Sequence, residues 1–194
     1  MSLIRIGPTE IDQAVAGHVA RKANEPLERV SELLTYSADE NVLLLAAAGI
    51  WLVSCFAQRR QRERADYLLL NVVAAAVVPH LLKRVIDQER PDRQVHGRRR
   101  GIPKSGRPYD AFPSGHAVHI GNLASLIGRL YPRWRLFAWG VGVTVAGTRV
   151  LLLAHWLTDV LTGVALGVGL ERLIGSVSPP QPRRRNKAGR IYAA

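Results

Sequence analysis

Residues 42–57 read VLLLAAAGIWLVSCFA, sixteen positions without a single charge. A helix this apolar on every side has no polar stripe to turn toward water, so it must lie in a protein core or in lipid. At 1.5 Å per residue the run approaches the roughly 30 Å of a bilayer's hydrocarbon layer. Apolar runs with a few embedded charges return at about 67–86, 114–130, 136–151 and 156–174. Five such runs in 194 residues predict one all-α, integral-membrane helical bundle of about five spans. The mean hydropathy of +0.02 hides this pattern, because it averages apolar runs with basic connectors.

Working outward, Ser37 and Glu40 have the spacing of a capping box ahead of the first run, which ends at Gln58 and the Arg59, Arg60, Arg62, Arg64 cluster. Pro79 is expected to kink the second span. Upstream, Ile11, Val15, Val19 and then Leu27, Val30, Leu34 recur at helical spacing among charges, predicting two amphipathic helices broken near Pro26. They serve either as cover on the bundle or as membrane sensors. The connector 87–112 is rich in Arg, Gly and Pro, a composition against a packed core, and it is long for a mere linker. Gly163 and Gly167 would let the fifth span approach a neighbour closely. The divisions expected are an amphipathic region 1–38, a transmembrane domain 39–175 and a basic, disordered tail 176–194.

The chain carries 27 Lys and Arg against 15 Asp and Glu, a net charge of +12, so its partners are expected to be polyanions. Much of this charge flanks the apolar runs, which favours anionic bilayer lipids over nucleic acid. The single Cys55 lies inside a span and can make neither an intrachain disulfide nor a cysteine-rich metal site. The start lacks the basic-then-apolar layout of a signal peptide, so insertion is expected to rely on the spans. Five spans put the 87–112 connector and the 152–155 turn on one face; the Arg59–Arg64 loop, the Tyr131 turn and the tail fall on the other. The positive-inside rule makes that second face cytoplasmic. The basic connector opposite then needs its own reason, and phosphate binding would supply one.

Three clusters map to the connector's face. Lys83 and Arg90, beside Pro91, are two helical turns apart and can project from one side of the second span as it leaves the bilayer, although basic residues there also serve as plain anchors. Pro113, Ser114, Gly115 and His116 open the third span. Ser114 can cap the helix, Gly115 admits close backbone approach, and the first-turn N–H groups form an anion site with His116 beside it; an ordinary N-cap reads equally well. Thr148 and Arg149 end the fourth span, and His155 and Asp159, four apart, share a face of the fifth. The carboxylate can hold the imidazole as a nucleophile, or the two can form a structural hydrogen bond. Arg149 can clamp two phosphate oxygens.

Together, Lys83 to Pro91, Pro113 to His116 and Thr148 to Asp159 resemble, in order and spacing, the three motifs of the type 2 phosphatidic acid phosphatase superfamily, in its membrane-bound branch. Thr148 departs from the family's usual serine but keeps the hydroxyl, and the family usually has six spans rather than five. The resemblance implies that His155 attacks phosphorus to give a phosphohistidine, with Asp159 orienting it. His116 would donate a proton to the leaving group, and water would then hydrolyse the intermediate. Lys83, Arg90, Arg149, Ser114 and the Gly115 N–H would bind the phosphoryl oxygens. It implies no metal and no other cofactor, and as substrate a membrane lipid phosphate or polyprenyl phosphate or diphosphate. With the span count above, the site is expected on the outer face of a bacterial inner membrane.

Outside these motifs, His119 is expected to serve helix packing, and His80 to bond a carbonyl freed by Pro79. Trp134 and Trp156 read as interface anchors. Arg98, Arg99, Arg100, Lys104 and Arg107 either attract anionic groups or form a solvated charge run. A non-catalytic lipid-binding protein is the alternative, but binding needs cations and no nucleophile. A soluble haloperoxidase with the same motifs is disfavoured by the spans.

Overall fold

The computed structural model describes residues 4–22, 24–95 and 107–178. Arg98, Arg99, Arg100, Lys104 and the segment 179–194 lie outside the described residues. Among the described residues the fold is all-α apart from one pair of two-residue strands. In chain order it comprises β1 (Ile4–Arg5), α1 (Glu10–Lys22), α2 (Glu25–Tyr36), α3 (Glu40–Ser54), α4 (Arg59–Leu82) and β2 (Ile86–Asp87). It continues with α5 (Pro91–Gln94), α6 (Gly115–Leu130), α7 (Arg135–Leu151) and α8 (Leu157–Val177).

A helix lies on each of the five apolar runs, with different ends. Among the described residues three stretches, Glu25–Ser54, Arg59–Leu82 and Leu157–Val177, are long and apolar enough to cross a membrane. The third and fourth runs form α6 and α7, of only 16 and 17 residues, about 24–26 Å of helix at 1.5 Å per residue. The cap of α3 is Asp39 rather than Ser37: its carboxylate accepts from the N–H groups of Asn41 and Val42, while Ser37 Oγ turns back to the Leu34 carbonyl. The arginine cluster read as a loop is instead the first turns of α4, where Arg59 pairs with Glu63 one turn on at 3.0 Å. At its other end α4 stops at Leu82, before the expected Ile86, and Ile86 and Asp87 pair in parallel with Ile4 and Arg5.

The tightest packing is between α6 and α8. A Cβ on Gly163 would lie 2.7 Å from the Ser114 carbonyl oxygen, and one on Gly167 2.1 Å from that of Val118, so only glycine allows the two backbones to approach this closely. Deeper in the bundle Glu171 of α8, 1% exposed, accepts from Tyr67 Oη at 2.7 Å and Ser125 Oγ at 2.6 Å and pairs with Arg129. Asn71 and Asn122 bond each other at 3.0 Å. In a medium without water such groups must satisfy one another, and here they join α4, α6 and α8.

The connector was expected to lack a packed core, but its two ends form one. Gln88 N–H donates to the Tyr109 carbonyl and Ala111 N–H to that of Gln88, both at 3.1 Å, and Ala111 is fully buried. Helix α1 closes over them: Ala16, Ala111, Leu153 and Trp156 form one buried cluster with Val19 and Val95 against it. Trp156 is therefore no interface anchor. It is 1% exposed, and its indole N–H donates to the Glu89 carbonyl at 2.7 Å. Trp134 is 48% exposed.

Candidate active site

At the connector end of the bundle, Lys83, Arg90, Gly115, His116, Arg149 and His155 line one cavity of about 830 Å³. Ser114 and Asp159, both fully buried, stand behind that lining. The fold thus gathers the sequence-predicted residues at one place, though not by the expected local geometry.

Lys83 and Arg90 do not project from one helix. Lys83 caps the C-terminus of α4 and Arg90 the N-terminus of α5, with β2 between them. They meet at Asp110 instead. Arg90 Nη2 and Nε donate to Asp110 Oδ1 at 2.8 and 3.0 Å, and Lys83 Nζ lies 3.9 Å from Oδ2. Arg90 Nη1 also donates to the Ala154 carbonyl at 3.1 Å, and Nε to that of Arg107 at 3.0 Å. A guanidinium held on all sides has no rotamer freedom left to lose when it binds an anion. Burial draws the Lys83 pKa below its ordinary value, and Arg90 and Arg149 add to this against the attraction of Asp110.

Arg149, in the last turn of α7 and 2% exposed, donates from Nη1 to Thr35 Oγ1 at 3.0 Å, while its Nε has no partner among the described residues. Ser114 is the N-cap residue of α6, but its hydroxyl makes no capping bond; Oγ is buried and has no partner among the described residues. A Cβ on Gly115 would meet nothing within 4 Å, so the first turn of α6 is open to the cavity. Unpaired buried donors are costly, and an oxyanion against the start of α6 would satisfy these.

His155 lies in the turn between α7 and α8. Its Nδ1 is 2.6 Å from the Ala111 carbonyl oxygen. A carbonyl only accepts, so Nδ1 carries the proton and Nε2 keeps the lone pair. Burial, then the charges of Arg90, Arg149 and Lys83, hold the ring pKa well below the usual 6.5, so the imidazole is neutral. The contact expected from Asp159 is not a hydrogen bond: Oδ2 is 3.9 Å from Nδ1 and accepts instead from the Trp156 N–H at 2.9 Å. The carboxylate closes the first turn of α8 and leaves orientation of the ring to Ala111. Thr148 Oγ1 donates to the Val145 carbonyl at 2.6 Å and is absent from the cavity lining.

His119 is 2% exposed and lines the same cavity one turn past His116, with neither ring nitrogen paired among the described residues. His80 Nδ1 lies 2.8 Å from the Ala76 carbonyl oxygen, and the ring is largely exposed. Arg107 borders the cavity. Among the described residues, no group of three His, Cys, Asp or Glu side chains is placed to hold a metal ion.

Sequence reasoning missed Asp110, Ala111, Thr35 and Asp12. The first three carry no local signal, because each acts across a long sequence separation. Asp12 had one: Thr9 and Asp12 form a reciprocal cap, with Thr9 N–H to Asp12 Oδ2 at 3.0 Å and Asp12 N–H to Thr9 Oγ1 at 3.2 Å. The same carboxylate then takes the Thr158 N–H at 2.9 Å and hydroxyl at 2.7 Å, fastening α1 to the start of α8.

A membrane helical bundle with an imidazole, three cations and a helix N-terminus around one cavity defines a class of phosphoryl-handling membrane protein. Residues 65–181 match the PAP2 superfamily model, and the chain belongs to that family. It is 30% identical over 172 residues to a lipid A 1-phosphatase of Rhizobium johnstonii, an alignment covering 81% of this chain and 70% of that protein. It is 31% identical over 136 residues to a decaprenylphosphoryl-5-phosphoribose phosphatase of Mycobacterium tuberculosis, covering 65% and 69%. The fold is similar to a crystal structure of a transmembrane PAP2-type phosphatidylglycerolphosphate phosphatase from Bacillus subtilis, with TM-score 0.67, 23% identity, and 90% and 87% of the two chains covered.

Proposed function

We propose that this membrane protein hydrolyses a lipid phosphate, or a polyprenyl phosphate or diphosphate, through a phosphohistidine and without a metal ion. The observation that carries the reading is the fixed, neutral His155, its Nδ1–H given to Ala111 and its Nε2 left with a lone pair beside three cations. Nε2 attacks phosphorus and the bond from phosphorus to the leaving oxygen breaks. His116 gives that oxygen its proton. Water then attacks, the P–N bond breaks, and the water's proton returns to His116. Arg90, Lys83 and Arg149, with Ser114 Oγ and the Gly115 N–H, hold the phosphoryl oxygens and offset the charge that gathers on them.

Residues 39–175 are read as the phosphatase domain, 1–38 as an amphipathic region against it, and 176–194 as a basic tail suited to anionic lipid. The site opens on the outer face of a bacterial inner membrane, the less basic side. Similarity to phosphatases of lipid A and of a decaprenyl-linked phosphoribose supports a lipid-borne phosphate.

Detergent-solubilised protein should release inorganic phosphate from such lipids in the presence of EDTA, and His155→Ala should reduce release to background. Dependence on added metal, or an active His155→Ala protein, would overturn the mechanism. Lipid binding with no turnover by the wild type would favour a non-catalytic binder.

A further inference from the structure

The three cations of the site are not held alike. Lys83 and Arg90 share the Asp110 carboxylate, which offsets part of their charge before any ligand arrives. Arg149 is buried to the same degree as a core residue, yet among the described residues no carboxylate pairs with it. Its Nη1 donates to the Thr35 hydroxyl at 3.0 Å, a neutral acceptor that leaves the positive charge in full. A buried guanidinium without a counter-ion is costly until an anion joins it. Arg149 is therefore the cation with most charge left to give to a phosphoryl group.

The bond to Thr35 also decides which edge of the guanidinium stays free. Nη1 lies on the side turned away from the Nε–H, and Nε is buried with no partner among the described residues. The Nε edge is the one left for two oxygens of an anion, the planar fork that arginine offers to phosphate.

Thr35 is itself firmly placed. It is buried in the last turn of α2, which packs against α7. Three residues on, Ala38 joins Val145 and Ala146 of α7 in one buried cluster. Helix α2 turns Ser31 and Thr35 inward and leaves Val30 and Leu33 exposed, so its small polar groups serve the bundle rather than solvent. Thr35 does not border the cavity, so it acts through Arg149 and touches no ligand. It also stands upstream of residues 65–181, so the family match does not extend to this support.

We propose that Thr35 is a positioning residue: from α2 it holds Arg149 with its Nε edge toward the phosphoryl oxygens, and so makes the N-terminal region part of the phosphate site. This rests on the phosphatase reading above.

The test uses the full-length protein in detergent, with n-dodecyl phosphate as substrate and inorganic phosphate as the binding probe. Thr35→Val keeps the shape and removes the hydroxyl. It should lower kcat/KM by about tenfold and weaken calorimetric phosphate binding by a similar factor. Thr35→Ser, which restores the hydroxyl, should recover most of both losses. In an Arg149→Gln background, Thr35→Val should change phosphate affinity by less than about twofold, because the group it positions is gone. Thr35→Ala carries the same measurements should the valine variant fail to fold. A lower thermal midpoint with unchanged phosphate affinity and kcat/KM would leave Thr35 a merely structural residue and overturn the proposal. An equal loss in Thr35→Ser, or an undiminished effect in the Arg149→Gln background, would overturn it too. Weaker phosphate binding in Thr35→Val with no phosphate release by the wild type would support the positioning role and overturn the phosphatase reading alone.

Discussion

At His155 one hydrogen bond sets the reactive form of the side chain. The Ala111 carbonyl accepts a hydrogen bond from Nδ1–H, burial and three cations keep a second proton off, and Nε2 keeps the lone pair that the proposed attack on phosphorus needs. The sign of the resulting pH dependence follows. In the unfolded chain the ring takes up a proton near 6.5, while the folded ring resists it. The unfolded state therefore binds more protons below that pH, and His155 contributes stability that is present above 6.5 and is lost as pH falls toward the lower folded value. Thermal unfolding followed from pH 7.5 to 5 should show a loss for the wild type that is smaller in His155→Gln. Asp110 acts on the same site through Arg90. Asp110→Asn removes the charge that fixes the guanidinium at 2.8 Å, a charge-assisted bond worth about 1.5–3 kcal/mol. We expect kcat/KM to drop by roughly 10- to 100-fold, and the thermal midpoint to fall by several degrees as well.

Among the elements, α6 and α8 carry the site, because α6 presents Ser114, Gly115 and His116 while the turn before α8 presents His155. Their separation is set by glycine. In Gly167→Ala the new Cβ would lie 2.1 Å from the Val118 carbonyl oxygen, so the helices must part. Overpacking of this kind costs about 1–3 kcal/mol. The variant should show a lower thermal midpoint in detergent and weaker activity, although Gly167 touches no reacting group. The contrast is Gly169, where a Cβ meets nothing within 4 Å, so Gly169→Ala should leave both properties near wild type. The periodicity of the apolar runs located these helices, but their ends were displaced wherever a partner distant in sequence intervened. The α4 terminus is an example, cut short by the pairing of Ile86 with Ile4.

Over the whole molecule, the N-terminal segment joins the end that holds the candidate site rather than lying apart from it. β1 pairs with β2, Ala16 of α1 packs on Trp156 and Ala111, and Asp12 accepts two bonds from Thr158, 146 positions away. Burial pushes the Asp12 pKa up, but the bonds from Thr158 and Thr9 outweigh it and hold the carboxyl below its ordinary value of 3.8. Asp12→Ala leaves the Thr158 N–H and hydroxyl without their acceptor, at a cost of about 1–3 kcal/mol. It should loosen α1, seen as faster proteolysis near residues 4–22, and lower kcat by displacing the His155 turn. Unchanged kcat with a loosened α1 would show that the cap does not position His155.

The amino-acid sequence alone determined the membrane bundle, because sustained apolar runs are a local property that needs no partner to be read. It also determined which residues gather at the connector's face, because span counting assigns each motif to one side. It did not determine how they are held. Lys83 and Arg90 meet through Asp110 rather than along one helix, and His155 is oriented by the Ala111 carbonyl with Asp159 3.9 Å away. Both arrangements depend on which segments of the connector fold back beside each other. Contacts between residues 20 to 44 positions apart leave no trace in spacing or periodicity, so the tertiary structure alone decided them.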